Sequence, residues 1–482
     1  MGFAFIPLYI KYLGIEAYGL VGFFAVMHAC LGMLDMGLTA ALGREIARYT
    51  GGNYSSQAIW VLLRSVELVL CALMLTIVTI GMATSDLVAR NWLQTRHLSP
   101  DVVSQTLSIM YLVISLRFLE GLYKSCLVGL QMQISLNLVT SFTATLRWFG
   151  AVGVIAWISP TVTAFFLWQA LSSLVTIVVL ATLTYQLIPT AALKPQFSWP
   201  ALRQLGGFAA GMVGISVLTL LLTQADKLLL SRLLSLIDYG YYMLSATVAG
   251  GLYALISPVA QAYYPRMCEL LERKEPENLI VTFHTGAQLV SVIAGSAAIV
   301  VVVFSNELLL IWTQDASVVQ VAGPLLSLLA FGNLLNGILW IPYQAQLAHG
   351  WTGLSIRTNA VALFFVIPAI LFVTPLYGAT GAAWVWVALN TGYALISVQF
   401  MFRQILQTEK WKWYFKDVFF PLVPTAVVVF ILSKLIGSPS NFWAQLGSLF
   451  GVSCTAVLVA GLFADQLRPR MLRLVTTFLD SN

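Results

Sequence analysis

The sequence predicts an all-α polytopic membrane protein of about fourteen transmembrane helices, and three observations carry that expectation. Of 482 residues, 59% are hydrophobic and 9% charged, and the mean hydropathy is +0.87. Soluble domains carry roughly 25% charge. Apolar runs of about 20 residues, enough to cross a bilayer at ~1.5 Å rise each, recur along the whole chain. Backbone groups in lipid must be paired within their own segment, so such runs read as helices and not barrel strands. The third observation is an internal repeat that divides the chain into two pseudo-symmetric six-helix lobes plus two C-terminal helices.

A short apolar stretch opens the chain, and thirteen full spans follow. They lie near 17–41, 56–84, 102–128, 134–157, 162–188, 204–231, 238–263, 280–304, 320–345, 354–376, 378–402, 417–437 and 443–465. The opening run has no basic n-region and no small-residue cleavage site, so no cleavable signal is expected. Five cysteines lack metal-type spacing and four histidines are scattered, so no disulfide, metal or cofactor is expected.

Lys and Arg collect on the cytoplasmic side of short loops. Sixteen of the 25 basic residues fall on one set of loops and helix ends, from Arg44 and Arg48 through Arg266, Arg273 and Lys274 to Arg468, Arg470 and Arg473. The opposite set holds five: Lys11, Arg90, Arg96, Arg232 and Lys434. Both termini are therefore expected inside. The net charge of +6 follows from this bias and implies no nucleic acid. Trp411 and Trp413, alternating with Lys410 and Lys412, read as an interfacial anchor on the inner face.

The repeat pairs KYLGIEAYGL at 11–20 with RLLSLIDYGY at 232–241. Lys11 falls near Arg232, and Tyr18-Gly19 aligns with Tyr239-Gly240 at an offset of 221. After each Tyr-Gly comes an apolar span and then a basic residue, Arg44 or Arg266, 25 and 26 residues past the glycine. In each turn an acid, Glu16 or Asp238, is expected to cap the following helix at its positive end. In the second copy the preceding helix begins near Leu205, so its counterpart would begin about 17 residues before Met1. A late start or a truncation of the first helix is the expectation. The organisation is then an N-lobe at 1–188, a cytoplasmic linker at 189–203, a C-lobe at 204–403, and two further helices with a tail at 404–482.

Ionisable groups inside a bilayer cost ~2.5 to 3.5 kcal/mol each at a helix centre, so they face a cavity or a partner. Arg64 and Glu67 lie three apart, and Arg117, Glu120 and Lys124 follow a three-and-four spacing, which puts each set on one helix face. Gln133, Thr140 and Arg147 repeat at seven, and Ser216, Thr219, Thr223 and the pair Asp226-Lys227 make another stripe. Asn333, Asn336, Trp340, Tyr343 and Gln344 line one side of the tenth helix, and His28 and Asp35 lie seven apart on the second. One reading makes Arg64 with Glu67, and Arg117 with Glu120, local ion pairs that glue helices together. The other makes the stripes a hydrated cavity. There Arg64, Arg117, Lys124, Arg147 and Lys227 would suit an anionic group such as phosphate, which guanidinium binds in a fork. Asn333, Asn336, Trp340 and Tyr343 would form a sugar-facing wall. Asp35, Glu67, Glu120 and Asp226 are candidates for coupling to a proton or sodium gradient. His28 reads as a satisfied core residue.

With those residues in view, PLYIKYLGIEAYGLVGFF, LDMGLTAALGREIARY and TQADKLLLSRLLSLIDYGYY resemble the polysaccharide transporter family of Wzx-type O-antigen flippases. It belongs to the superfamily that also holds multidrug and toxic-compound extrusion (MATE) antiporters and lipid II flippases. The resemblance implies a MATE-like fold and alternating access between two lobes. Its cargo would be an undecaprenyl-diphosphate-linked oligosaccharide, moved across the bacterial cytoplasmic membrane for O-antigen, capsule or exopolysaccharide synthesis. Implied partners are that lipid-linked glycan, membrane lipids, a proton or sodium counter-ion, a polysaccharide polymerase and a chain-length regulator. The family's basic central cavity implies head-group contacts for Arg64, Arg117, Arg147 and Lys227.

A MATE-type cation-coupled drug antiporter is the main alternative, and it would favour acidic and aromatic groups over arginines in the cavity. A membrane enzyme of lipid-linked sugars would be expected to show a large outer loop with catalytic Arg or His. The longest outer loop here, SDLVARNWLQTRHLSPD, is too sparse. A non-transporting scaffold would have little need of buried charge in both lobes.

Overall fold

The computed structural model describes residues 2–35, 37–50, 55–189, 196–351, 353–436 and 441–469, without the side chains of 204–219 and 222. Ser216 and Thr219 of the expected stripe, and Lys194, Arg470 and Arg473 of the basic set, thus lie outside the described residues. All regular structure among the described residues is helical, and it divides into two compact units, Met1–Gly240 and Tyr241–Asn482.

The first unit contains α1 (Gly2–Leu13), α2 (Ile15–Gly32), α3 (Leu38–Thr50), α4 (Ser56–Asn91), α5 (Pro100–Gly129), α6 (Gln133–Gly153), α7 (Val162–Leu187) and α8 (Trp199–Leu233). Most of these helices start where sequence chemistry says they should. Ser55, Ser99, Thr161 and Ser198 each accept a hydrogen bond from the backbone N–H three residues on, which satisfies a donor the first turn would leave unpaired. α5 packs on α3, α4 and α7, and α8 packs on α2, α3 and α4. The core is a fully buried aliphatic stripe that includes Leu42, Ile46, Leu63, Leu70, Leu122 and Leu127.

α9 (Leu236–Gly250) leads into the second unit, which continues with α10 (Tyr253–Glu272), α11 (Pro276–Val290), α12 (Ser296–Val303), α13 (Ser305–Thr313), α14 (Ala316–Ile338), α15 (Trp340–Ala348), α16 (Gly353–Gly392), α17 (Val398–Gln404), α18 (Phe420–Ile436) and α19 (Phe442–Phe463). Its core packs Met267, Leu270, Phe283, Ile341, Met401, Phe402 and Trp413. α18 and α19 pack on each other and on α12. π-helical turns at Ser291–Gly295 and Trp413–Phe419 prolong α11 and precede α18.

By length and composition, eleven helices among the described residues could cross a membrane, against about fourteen expected. The longest, Gly353–Gln404, covers two expected spans and is broken at Gly378 (φ 60°, ψ −149°), a conformation open to glycine. The expected span at 17–41 is also two pieces. α2 stops at Gly32, Gly37 turns the chain with φ 69°, and Asp35 accepts from the Thr39 backbone N–H and hydroxyl to start α3. The two tryptophans of the expected anchor differ in burial. Trp411 is 61% exposed, but Trp413 is completely buried beside Phe402, because the π-turn rotates it into the core.

The repeated Tyr-Gly turns meet each other. A Cβ added to Gly19 would run into the carbonyl oxygen of Leu236, and one added to Gly240 into that of Ile15. The 221-residue offset carries Gly19 to Gly240 and Ile15 to Leu236, so the two contacts are reciprocal. In lipid, helices gain little from burying apolar surface, so close approach at small residues is a main source of packing. The two acids part company here. Asp238 does serve the start of its own helix, by exchanging hydrogen bonds with Ser235. Glu16, buried in the first turn of α2, instead accepts from the backbone N–H groups of Arg96 (2.6 Å) and His97 (2.9 Å). The same loop reaches the second turn, where Gln94 pairs with the backbone of Arg232 and Leu236 and Trp92 donates to Ser231.

Candidate functional site

α5 carries the charge of the first unit. Glu120, 2% exposed, accepts from Lys124 Nζ one turn away (3.1 Å) and from Arg147 Nη2 on α6 (2.6 Å). Arg147 also donates to Ser172 and Ser173 on α7, both at 3.3 Å. Arg117, one turn before Glu120, does not pair with it. Its guanidinium lies over the Phe24 ring, 4.9 Å from the centroid, and its buried Nε has no hydrogen-bond acceptor. The expected Arg117–Glu120 glue is thus replaced by a cluster with three cations around one carboxylate, assembled from α2, α5, α6 and α7.

A second cluster opens toward the next face of α5. Arg64 Nη1 donates to Glu67 Oε2 at 2.8 Å, so this local ion pair does form. Glu67 is 5% exposed and also accepts from the hydroxyls of Tyr123 on α5 and Tyr185 on α7. Trp60 stacks flat on Tyr185, with ring planes 2° apart. Three helices therefore converge on one carboxylate, and Arg64 keeps half its side chain exposed.

The remaining charged candidates of the first unit stand apart from these two clusters. Lys227 Nζ pairs with its neighbour Asp226 (3.3 Å) and the Thr223 carbonyl (2.8 Å) on α8. Asp35 is the cap of α3. His28 lies half-buried beside Phe24, and no hydrogen bond to its ring is found among the described residues, so it is not the satisfied core group expected.

The second unit joins three of its four candidates in an uncharged network. Asn333 accepts from Tyr253 and Trp386, and Asn336 accepts from Tyr253 and Trp340 while donating to Asn390 at 2.8 Å. Tyr253 and Trp340 stack at 5.8 Å. Tyr343 lies outside it, 42% exposed on α15. Sequence reasoning missed Tyr253, Trp386 and Asn390, although Trp386 and Asn390 are one turn apart on an apolar helix.

It also missed a buried cluster of ionisable groups in the second unit. His284 on α11 faces Asp417 through Nδ1 and Glu409 through Nε2 (3.0 Å). Gln288 donates to Asp417 (2.9 Å) and accepts from the Gln466 N–H (2.8 Å). Glu409 receives Lys412 and Thr408 as well. Burial pushes the Glu409 carboxyl up, but hydrogen bonds from Lys412, His284 and Thr408 outweigh it and hold the group below the usual carboxylate range. The four-residue spacing of His284 and Gln288 on an apolar helix was the available signal. Among the described residues, no cluster of His, Cys, Asp and Glu is arranged to hold a metal.

A model of the family described as polysaccharide biosynthesis protein matches residues 1–271. The chain belongs to that family. A Shigella flexneri protein provisionally named an O-antigen transporter is 20% identical over 377 residues, 78% of this chain and 87% of its own length. Among solved structures, the lipid II flippase MurJ in an inward closed conformation aligns with a TM-score of 0.68 at 13% identity, covering 95% of this chain and 96% of MurJ. An inward-facing MATE-family multidrug resistance transporter of the MOP superfamily aligns at 0.63 and 14% identity, covering 84% and 94%. The fold is thus that of MurJ and MATE transporters. This polysaccharide biosynthesis family member carries, among the described residues, eleven helices long and apolar enough to cross a membrane.

Proposed function

We propose that this transporter moves an undecaprenyl-diphosphate-linked oligosaccharide from the cytoplasmic to the outer leaflet of a bacterial cytoplasmic membrane, by alternating access. The observation that carries the reading is the Arg117, Lys124 and Arg147 cluster around Glu120, with a buried guanidinium edge left without an acceptor. Three cations against one carboxylate leave an excess of positive charge where ionisable groups are costly unless partnered. A diphosphate supplies that partner, and guanidinium matches its oxygens in a fork. The amide and indole groups at Asn333, Asn336 and Trp340 offer the donors, acceptors and aromatic faces that sugars use, so they are assigned to the glycan. The orientation follows the basic loops, with both termini inside.

In cells that make a lipid-linked glycan, Arg117→Ala and Arg147→Ala, expressed at wild-type level, should abolish its appearance on the outer face. Full activity in both variants removes the cluster from the substrate path. For orientation, Arg273→Cys in a cysteine-free background should react with an impermeant thiol reagent only from the inside, and labelling from outside overturns the topology.

A further inference from the structure

The Glu409, His284 and Asp417 triad takes no part in the reading above, and its geometry fixes a proton count. Both ring nitrogens of His284 face carboxylate oxygens, on Glu409 and Asp417. A neutral imidazole has one N–H and one bare lone pair. With both acids ionised, that lone pair would point at a carboxylate oxygen in a site where His284 is 7%, Glu409 3% and Asp417 0% exposed. One added proton, transferred from a solvent hydronium ion that is left as water, forms an N–H bond at the bare nitrogen and turns the repulsive contact into a second N–H···O bond. Groups of this kind are strongly destabilising when buried without their partner.

The neighbouring groups fit a site for one proton. Lys412 faces Glu409 and offsets one negative charge at the exposed end. Lys416, which could offset the other, is engaged with Asp465 at 3.1 Å. Gln288 fills the last position on Asp417 and is itself held by the Gln466 N–H. The site also joins separate parts of the unit, because Glu409 precedes and Asp417 lies within the π-turn before α18 while His284 and Gln288 belong to α11. π-turns recur at functional positions, and both partners carry one beside the site.

We propose that Glu409, His284 and Asp417 form a binding site for a single proton, and that its occupancy fastens the segment leading into α18 to α11. The proposal is independent of the cargo. It also locates a titratable site where the sequence offered none, since Asp35, Glu67, Glu120 and Asp226 all lie in the first unit.

The test is ¹⁵N NMR of the histidines in the full-length protein in nanodiscs. There are four histidines, and His284→Gln identifies the signal of interest; if that variant does not fold, a chain with the other three replaced by Gln does so. At pH 8 both nitrogens of His284 should carry hydrogen. In Asp417→Asn the His284 signal should become that of a neutral tautomer. As pH rises further, amide hydrogen exchange across 409–419 should accelerate over the range in which the His284 signal turns neutral. A neutral His284 at pH 8 in the wild type overturns the site, and a conversion without faster exchange overturns the fastening role.

Discussion

Each unit of this protein has, at positions singled out in the sequence, a polar network buried among apolar helices, and these two networks are chemically opposite. In the first, Arg117, Lys124 and Arg147 surround one carboxylate, and the buried Arg117 Nε has no acceptor among the described residues. In the second, Asn333, Asn336, Asn390, Tyr253 and Trp340 satisfy one another without a formal charge. A network that closes on itself stabilises the fold, whereas one left unbalanced is a standing demand for a ligand. The difference teaches that two units of one chain can bury comparable numbers of polar side chains and balance them in opposite ways, one with surplus cations and one without formal charge.

The largest effect should come from breaking the ionic side. Arg147→Ala leaves Lys124 as the remaining ion-pair partner of the buried Glu120 and removes a donor from Ser172 and Ser173. We expect it to lose transport and about 3 to 5 kcal/mol of stability, read as a fall in melting temperature in detergent; Glu120→Ala in the same chain should restore stability without restoring transport.

Arg117→Ala is the sharper variant. Its Nε has no acceptor to strand, so only the contact with Phe24 is lost, about 0.5 to 2 kcal/mol, yet outer-leaflet glycan should vanish. A stability loss as large as that of Arg147→Ala would place Arg117 with the structural pairs.

On the neutral side, Asn336→Ala removes an acceptor from Tyr253 and Trp340 and a donor from Asn390. About 1 to 3 kcal/mol should follow, with transport of a glycan-bearing lipid slowed more than that of the bare lipid diphosphate. Equal slowing of both would remove the sugar assignment. Tyr343→Phe, outside the network, should change neither melting temperature nor flux measurably.

The contrast also shows what the sequence can reveal. Helix spacing placed Glu120, Lys124, Arg64 and Glu67 on faces of their own helices, because contacts three and four apart are local. It could not decide that Arg147 and not Arg117 reaches Glu120, since that depends on how α6 packs beside α5. The Tyr-Gly repeat was legible as an echo, and its offset survives in the reciprocal Gly19 and Gly240 contact. The role of Glu16 was not, because its partners lie about eighty residues away in a loop whose path no periodicity describes. Trp411 and Trp413 look alike in sequence, and only the π-turn separates an exposed ring from a buried one. His284, Glu409 and Asp417 come together over more than a hundred residues of chain, and a lone histidine on an apolar helix gave little reason to look for them.

The central claim is that the first unit's unbalanced cations bind a diphosphate. Thermal unfolding of the purified full-length protein with undecaprenyl diphosphate or undecaprenol tests it directly, in wild type and in Arg117→Ala. The account predicts that the diphosphate raises the melting temperature of the wild type, that undecaprenol does not, and that Arg117→Ala loses the response while melting near the wild-type temperature without lipid. Equal stabilisation of both proteins by the diphosphate, or by undecaprenol as much as by the diphosphate, would contradict it.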